Sequence, residues 1–400
     1  MKRATTADTG PLGGVRVLDL SAYIAGPYGC TLLADLGAEV IKIEPPEGDN
    51  LRKYPSTMVD HSRAFVGVNR GKRGVVINLK NPNGLELFRR MTEQADVVVH
   101  NFRPSVAPRL GIDYPRLSER NPRLIYCSLS GYGDRGPLRD RAGYDQVLQS
   151  MTGICAAQGS LQEPQIVFGS VVDYYAAALL ALQVSAALVE RERTERGSEI
   201  SMSLLHAALA MQSARLVWAD GEPRDLARDM RSGGITGIHP TANGHIYLSA
   251  NTPHFWQSLC RTTGLHDLAD DPRYASVRQR AQHADELIPK LRAALMKYDA
   301  ATWEHQFGDE VPCARVRGIE DMFEFEQVQA LGAIKTFSGS VGSYRALASA
   351  LGRTTHGDVR PAPGFGEHTR EVLTEHGLSN DEIDALGISG ALATPPSSPV

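Results

Sequence analysis

The first part of the chain contains a strand–helix–strand pattern, which constrains the fold more than any other feature. Residues 15–20 (VRVLDL) predict a short strand, residues 27–36 a helix that ends at Gly37, and residues 38–44 (AEVIKIE) a second strand. A unit of about thirty residues of this kind joins two parallel strands through a crossover helix. We therefore predict an α/β fold around a parallel sheet. The first connection lacks a GxGxxG sequence, so a dinucleotide site is only weakly indicated.

Further strands are predicted at residues 75–80, 96–100 and 124–129, with a helix at about 84–94. The strands end in loops rich in Gly, Pro and charged residues, notably 101–104 and 130–145. Loops at the carboxyl ends of an open parallel sheet form its ligand crevice, so we expect the binding site there. The basic residues around the third strand fit either a solvated loop or a phosphate-binding edge.

The pattern weakens after the long apolar stretch and resumes with a second set of elements. We predict the following organisation: disordered tails at 1–10 and 393–400, the N-terminal part of a large α/β domain at 11–218, a linker at 219–234, a small α+β domain at 235–318, and a linker with a C-terminal return to the large domain at 319–392.

Composition excludes several classes of function. The formal net charge of −4 gives no reason to expect nucleic acid or an anionic membrane as partner, and we expect no membrane span, because polar residues interrupt the apolar runs. The five cysteines are widely spaced without CxxC, and the histidines form no HExxH, so we expect no metal site. Reduced thiols favour a cytoplasmic location.

Asp173 stands between an apolar run and about seventeen helix-favouring residues, mostly Ala and Leu. It is therefore expected at or near the first turn of a buried helix that Gly197 would cap at its other end. There it could serve as the N-cap, and the positive helix end would keep it ionised. The local pattern alone favours a simple cap over a reactive group.

Several blocks, taken together, resemble the class III CoA-transferase family, which includes formyl-CoA transferase, carnitine CoA-transferase and α-methylacyl-CoA racemase. The most specific block is LGGVRVLDLSAYIAGPYGCTLLADLGAEVIKIEPPEGD at 12–49. Others are NRGKRGVVINLKNPNG, ADVVVHNFRP, SLSGYGDRGPLRDRAGYDQVLQSMTG, VVDYYAAALLALQVSAAL, RTERGSEISMSLLHAAL, VPCARV and GFGEHTREVL. They occur in family order over about residues 11–385.

The resemblance implies a large Rossmann-like domain, whose parallel sheet is built from both chain ends, and a smaller α+β domain. It also implies a homodimer of two interlocked rings. The implied activity is transfer of CoA between an acyl-CoA and a free carboxylic acid, with CoA as a substrate and no prosthetic group. Asp173 matches the catalytic aspartate, which would form an anhydride and then an aspartyl-CoA thioester.

The resemblance also suggests residues around Asp173. Candidates for the oxyanion or acyl pocket are Ile24, Ala25, Gly26, Tyr144, Gly233 and Gly234, although the glycine pair fits a plain hinge equally well. Candidates for CoA contacts are Lys42, Arg73, Lys80, Asn101, Phe102, Arg109 and Arg141. Two positions depart from the family, since Pro45 replaces a phosphate-binding arginine and Ile24 a glutamine.

Two alternatives to CoA transfer remain. Racemases of the family pair the aspartate with a histidine, and here that position is Tyr144. A tyrosine with a pKa near 10 is a poor two-way proton carrier, so transfer is favoured over racemisation. A non-catalytic CoA-binding protein is the alternative of another class, and the presence of Asp173 argues against it.

Overall fold

The structure is a computed structural model, which describes residues 10–58, 61–222, 235–351 and 359–393. The chain divides into two compact units. The larger unit comprises Met1–Ser213 and Gln329–Val400, and the smaller one Ala214–Val328.

Six parallel strands form the sheet of the larger unit, which confirms the predicted α/β class. They are β1 Arg16–Asp19, β2 Glu39–Glu44, β3 Lys72–Val76, β4 Val97–His100, β5 Ile125–Ser130 and β6 Ser198–Ser203. Their order is β3-β2-β1-β4-β5-β6, with Leu18 of β1 opposite Ile41 and Val98 of its two neighbours. The order of the strands reverses between β1 and β4, which is where open α/β sheets bind their ligands.

Helices connect these strands and cover the sheet. They are α1 Ala25–Asp35, α2 Arg63–Asn69, α3 Pro82–Glu93, α4 Val106–Leu110, α5 Tyr114–Arg120, α6 Asp145–Met151, α7 Ile154–Gln158, α8 Val171–Thr194 and α9 Leu204–Ala210, with a 3-10 turn at Asn50–Lys53.

Helix α8 crosses the core beside α1. Its buried positions include Val172, Ala176, Leu180, Val184 and Leu188, four residues apart, so one face of the helix lies against the sheet core. Among the described residues, α8 alone is long and apolar enough to cross a membrane by length and composition, and 44% of its most apolar window is buried in the protein.

The end of α8 differs from the prediction. Glu195, at φ 56°, follows the last helical residue in the left-handed conformation, so Gly197 is not the cap. Gly197 is needed for another reason, because a Cβ atom there would collide with the carbonyl of Leu124.

The smaller unit is an α+β structure with its own core, which includes Trp303, Phe307 and Leu291. Its antiparallel sheet contains β7 Gly237–Pro240, β8 His245–Leu248 and β9 Cys313–Arg315. Its helices are α10 Pro253–Thr263, α11 His266–Ala269, α12 Val277–Gln282, α13 Ala284–Leu295 and α14 Ala300–Phe307, with 3-10 turns at Pro272–Tyr274 and Glu320–Phe323. A further helix, α15 Glu326–Ala330, spans the boundary between the units.

The C-terminal segment returns to the larger unit, but its described residues add no strand to the six-stranded sheet. It contributes an antiparallel hairpin, β10 Ile334–Gly339 with β11 Gly342–Leu347, and two helices, α16 Thr369–Glu375 and α17 Asn380–Ile388. The prediction that both chain ends build the sheet is therefore wrong. The segment is held instead by bonds to single loop and edge groups, such as the His368 amide donating to the Gly74 carbonyl at 2.9 Å.

Candidate active site

A pocket of about 250 Å³ opens at the carboxyl ends of β1, β4, β5 and β6 in the larger unit. Its walls are the turn after β1, the loop after β4, the loop after β5 and the first turn of α8, which supplies Asp173. The pocket thus lies where the loop pattern predicted it.

Asp173 is the third residue of α8, and its partly buried side chain lines the pocket. Within the part of the chain that the structure describes, no group donates a hydrogen bond to this carboxylate. Burial, and next the negative charge of Asp145, raise the pKa of Asp173 to about 7. The carboxyl group is therefore free to react and titrates near neutrality.

The N-cap role predicted for Asp173 belongs to Asp145. Ser170 precedes α8 in the left-handed conformation and offers no side-chain cap. The amides of Val172 and Asp173 both donate to Oδ2 of Asp145, at 2.7 and 3.1 Å. The expectation that the helix end keeps Asp173 ionised is wrong, because burial, and next the charge of Asp145 at that end, raise the pKa of Asp173.

Buried charges hold the turn after β1, which forms one wall of the pocket. Asp19 accepts from the Ser21 amide at 2.9 Å, and the Lys42 ammonium donates to the Ser21 carbonyl at 2.9 Å. Asn101 brackets Ala22, accepting from its amide at 2.9 Å and donating to its carbonyl at 2.7 Å. With its backbone groups held in this way, the turn presents a preorganised wall.

Tyr23 and Tyr144 meet across the pocket. Tyr23 adopts the left-handed conformation at φ 64°, and its amide donates to Asp49 at 3.2 Å. Its ring meets that of Tyr144 edge-on, with centroids 5.7 Å apart. Hydrogen bonding to Tyr23 is the main cause that raises the pKa of Tyr144, so Tyr144 stays a neutral phenol near pH 7.

Three of the predicted CoA contacts lie in the pocket wall, namely Asn101, Phe102 and Arg141. Two further arginines, Arg103 and Arg139, line it as well, although the sequence analysis missed them. In the sequence these arginines are basic residues in loops, and such residues occur in pockets and on open surfaces alike.

Lys42 and Arg73 do not reach the pocket, which corrects the prediction that they bind CoA. Lys42 is fully buried, and its ammonium lies 3.0 Å from the Asp49 carboxylate. Arg73 is nearly buried and pairs with Glu39, Glu371 and Glu375. Lys42 is paired with a buried carboxylate and Arg73 with three partly exposed ones, so both cations are already neutralised by the protein.

The other candidates are spread out. Lys80 and Arg109 are exposed and lie outside the pocket.

The candidates for the oxyanion or acyl pocket differ in position. Ala25 lines the pocket at the start of α1, whereas Ile24 packs against the cluster around Phe65. Gly26 fits tightly, since a Cβ there would collide with the Ser21 side chain. Gly233 and Gly234 lie outside the described residues. The described part of the chain holds no cluster of three or more potential metal ligands.

Comparison with known proteins identifies relatives over most of the chain. The model of CoA-transferase family III matches residues 12–369. A succinate–glutarate CoA-transferase of Agrobacterium fabrum is 33% identical, covering 91% of this chain and 95% of that protein. An acetyl-CoA:oxalate CoA-transferase of Acetobacter aceti is 38% identical over 74% of this chain and 77% of that protein.

A solved structure agrees with these matches. The crystal structure of a CaiB/BaiF family protein from Brucella suis superposes with a TM-score of 0.81 at 28% identity, over 92% of this chain and all of that one (100%). A family model that spans most of the chain, relatives at this level of identity and a matching fold lead to one conclusion. The chain belongs to CoA-transferase family III and is a CoA-transferase.

Proposed function

We propose that the enzyme moves CoA between an acyl-CoA and a free carboxylic acid, with Asp173 as the group that becomes acylated. The observation that carries this proposal is the Asp173 carboxylate, which lines the pocket without a hydrogen-bond donor from the described residues. A carboxylate that only capped a helix would be engaged by backbone amides, as Asp145 is. Asp173 is instead left as a nucleophile.

The first half of the reaction transfers CoA to the enzyme. An Asp173 oxygen attacks the thioester carbonyl, the C–S bond breaks, and a mixed anhydride and the CoA thiolate result. The thiolate then attacks the aspartyl carbonyl of the anhydride. This step forms the aspartyl-CoA thioester and releases the donor acid as its carboxylate.

The second half reverses the order with the acceptor acid. Its carboxylate attacks the aspartyl thioester and expels the CoA thiolate, which forms a second anhydride. The thiolate attacks the acceptor carbonyl of that anhydride, so the new acyl-CoA leaves and the Asp173 carboxylate is restored. Each step exchanges one acyl bond for another, and no proton or oxidant is needed.

Each tetrahedral intermediate carries an oxyanion that needs donors. The first turn of α1 begins at Ala25 in the pocket wall and has no side-chain cap. Helices leave the amides of their first turn without intrahelical acceptors, and these amides mark a positive end. We assign the amides of Ala25 and Gly26 as the donors that stabilise the oxyanion.

A short dicarboxylic acid is the substrate class that the pocket favours. Arg103, Arg139 and Arg141 line it, and at least one can hold a second carboxylate while others face the CoA diphosphate. The relatives named for succinate, glutarate and oxalate act on such acids. We therefore propose succinate and glutarate as the first acids to assay.

Racemisation is disfavoured by the same pocket. No histidine is among its described lining residues, and Tyr144 holds the place of the racemase base. Since the pKa of Tyr144 is raised above that of an ordinary phenol, it cannot accept an α-proton at neutral pH.

An exchange assay tests the proposed function. The enzyme is incubated with succinyl-CoA and labelled glutarate, and glutaryl-CoA is measured by mass spectrometry. We expect exchange by the wild type and a loss of at least about a thousandfold in Asp173→Ala. CoA binding without exchange with any acid would support a binding protein instead, and α-deuteration of an acyl-CoA without CoA transfer would support a racemase.

We also propose a cytoplasmic homodimer. Exposed apolar side chains, Phe168 at 94% and Leu182 and Val189 on the outer face of α8, favour burial against a second copy. The five cysteines are unpaired thiols, which fits a reducing compartment. Light scattering of the purified protein tests the homodimer. A monomer at micromolar concentration would contradict it.

A further inference from the structure

Asp145 is buried next to the proposed nucleophile but does not line the pocket. It is 4% exposed, and it stands at the start of α6, directly after Tyr144. Buried carboxylates are rare unless their oxygens are satisfied, so its contacts indicate what it does.

The contacts of Asp145 connect three segments. Its Oδ2 accepts from the Val172 and Asp173 amides, and its Oδ1 accepts from Nε2 of Gln149 at 2.5 Å. Gln149 also donates to the Val167 carbonyl and accepts from the Val167 amide, both at 2.9 Å. The carboxylate is thus fixed by its own helix and joins α6 to the chain that leads into α8.

Among the described residues, helix α8 has no other side-chain cap at this end. Ser170 has positive φ, and its hydroxyl makes no capping bond. The cap therefore comes from a residue 27 positions away from Val172. A cap of this kind determines where the first turn begins and hence the direction of the third side chain, which is Asp173.

We propose that Asp145 is the positioning residue of this reaction: by accepting the amides of Val172 and Asp173 with one oxygen, it fixes the first turn of α8 and directs the Asp173 carboxylate into the pocket. This inference rests on the proposed function, and it adds a residue that touches neither the substrate nor the reacting atoms.

The same geometry has an electrostatic consequence. Asp145 occupies the positive end of α8 and adds a negative charge beside Asp173. Burial first, and this charge next, raise the pKa of Asp173, so the nucleophile is more basic than an ordinary aspartate. Other described titratable or charged groups lie near the Asp173 carboxylate, on the elements around it. They are Tyr174 on α8, Tyr28 on α1, and, across the pocket, Tyr23, Tyr144, Arg103, Arg139 and Arg141.

Two substitutions separate the cap from the charge. Asp145→Asn keeps the size and one oxygen acceptor but removes the charge. Asp145→Ala removes the acceptor and leaves two amides without a partner. Asp381→Asn is the matched control, because Asp381 is an exposed aspartate in the first turn of α17, away from the pocket.

The activity readout is kcat and KM for both substrates from pH 5 to 9. In Asp145→Asn we expect the acidic limb of kcat/KM to move down by about one pH unit, since a neighbouring charge is lost. In Asp145→Ala we expect kcat to fall about a hundredfold, with KM changed less than about threefold. The control should match the wild type. An unchanged kcat in Asp145→Ala overturns the proposal, and an unchanged acidic limb in Asp145→Asn overturns its electrostatic consequence.

A second readout does not depend on activity. Hydrogen exchange of the Val172 and Asp173 amides, resolved by fragmentation, should be at least about tenfold faster in Asp145→Ala than in the wild type or the control. Equal rates overturn the positioning role. If the wild type exchanges no CoA, the proposed function fails, whereas the amide exchange still decides whether Asp145 holds the turn.

Discussion

Two aspartates near one helix end have different roles at the scale of the residue. The Asp145 carboxylate accepts from backbone amides, whereas the Asp173 carboxylate accepts no hydrogen bond from the described residues, and its pKa is raised to about 7. Environments that separate two carboxyl groups in this way commonly distinguish a supporting acid from a reacting one. The arrangement makes Asp173 more nucleophilic than a solvated aspartate while it still ionises near physiological pH.

The raised pKa predicts how the rate depends on pH. Attack requires the ionised form of Asp173, so kcat/KM should fall about tenfold per unit below pH 7 and level off above it. The acidic limb of the kcat/KM profile is measured from initial rates. The donor and the acceptor are chosen so that neither titrates in this pH range. A limb centred near pH 4 would show that the carboxyl group is not perturbed.

Stability should depend on pH in the opposite sense. The folded pKa of Asp173 lies above the unfolded value near 3.9, so the folded state binds this proton more tightly, and its contribution to stability is lost as pH rises from about 4 to 7. Asp173→Asn should therefore be more stable than the wild type at pH 8, on the order of 1–3 kcal/mol, and equal to it at pH 4. Urea unfolding at both pH values measures this difference. If Asp173→Asn were more stable than the wild type by the same free energy at both pH values, the raised pKa would not be the cause.

At the residue scale the sequence led to Asp173 only through the family resemblance, and it did not lead to Asp145. The cap joins residues that are 27 and 28 positions apart, and no local pattern reveals such a bond. Arg73 was misassigned for the same reason, because its partner Glu375 lies 302 residues away along the chain. Lys42 was misassigned because the sequence did not reveal that its ammonium is buried beside Asp49.

At the scale of the elements, the start of α1 and the turn before it act together. The turn approaches the helix so closely that position 26 has no room for a side chain. The same closeness places Ala25 in the pocket wall. This turn should therefore be sensitive to small substitutions.

Gly26→Ala should lower both activity and stability. The added Cβ would meet the Ser21 side chain, so the turn must shift, and we expect a loss of about 1–3 kcal/mol and at least about tenfold in kcat. Gly67→Ala on α2 is the control, because a Cβ there meets nothing within 4 Å and alanine favours helix. Thermal unfolding and the exchange assay measure both variants. A Gly26→Ala enzyme as active as the control would contradict the tight fit.

Elements were predictable where the apolar pattern was strong. Strands β1, β2 and β4 are within one residue of their predicted bounds at each end, and the helix Pro82–Glu93 is within two residues. Strand β6 was missed, because its sequence SEISMS is mostly polar and it lies at the sheet edge. Strand β3 begins earlier than predicted, at Lys72 and Arg73, whose charges are neutralised by the buried Asp19 and by partly exposed glutamates, respectively.

At the scale of the whole molecule, the larger unit joins two distant parts of the chain. Arg73 on β3 binds Glu371 and Glu375 on α16 and Glu39 on β2. Apolar residues of the C-terminal segment, among them Val372 and Leu373, share a buried core with the sheet. The sequence predicted that the C-terminal segment returns to the larger unit. It did not predict the kind of attachment, which uses helices and ion pairs rather than a strand.

Arg73→Met tests whether this arginine is structural. Three carboxylates would lose a cation, and because they are partly exposed we expect a loss of about 1–3 kcal/mol, with the KM for acyl-CoA unchanged. Arg370→Met on the same helix is the control, since its pair with Asp384 is exposed and should contribute less than about 1 kcal/mol. A raised KM with normal stability in Arg73→Met would restore the CoA-binding role.

The acylation of Asp173 is tested most directly by trapping the enzyme during turnover. The protein is mixed with succinyl-CoA alone, quenched with hydroxylamine, digested and analysed by mass spectrometry. We expect a hydroxamate on Asp173 in the wild type and none in Asp173→Asn. Continued CoA exchange with Asp173 unmodified, or a hydroxamate on any other carboxylate, would contradict the proposed mechanism.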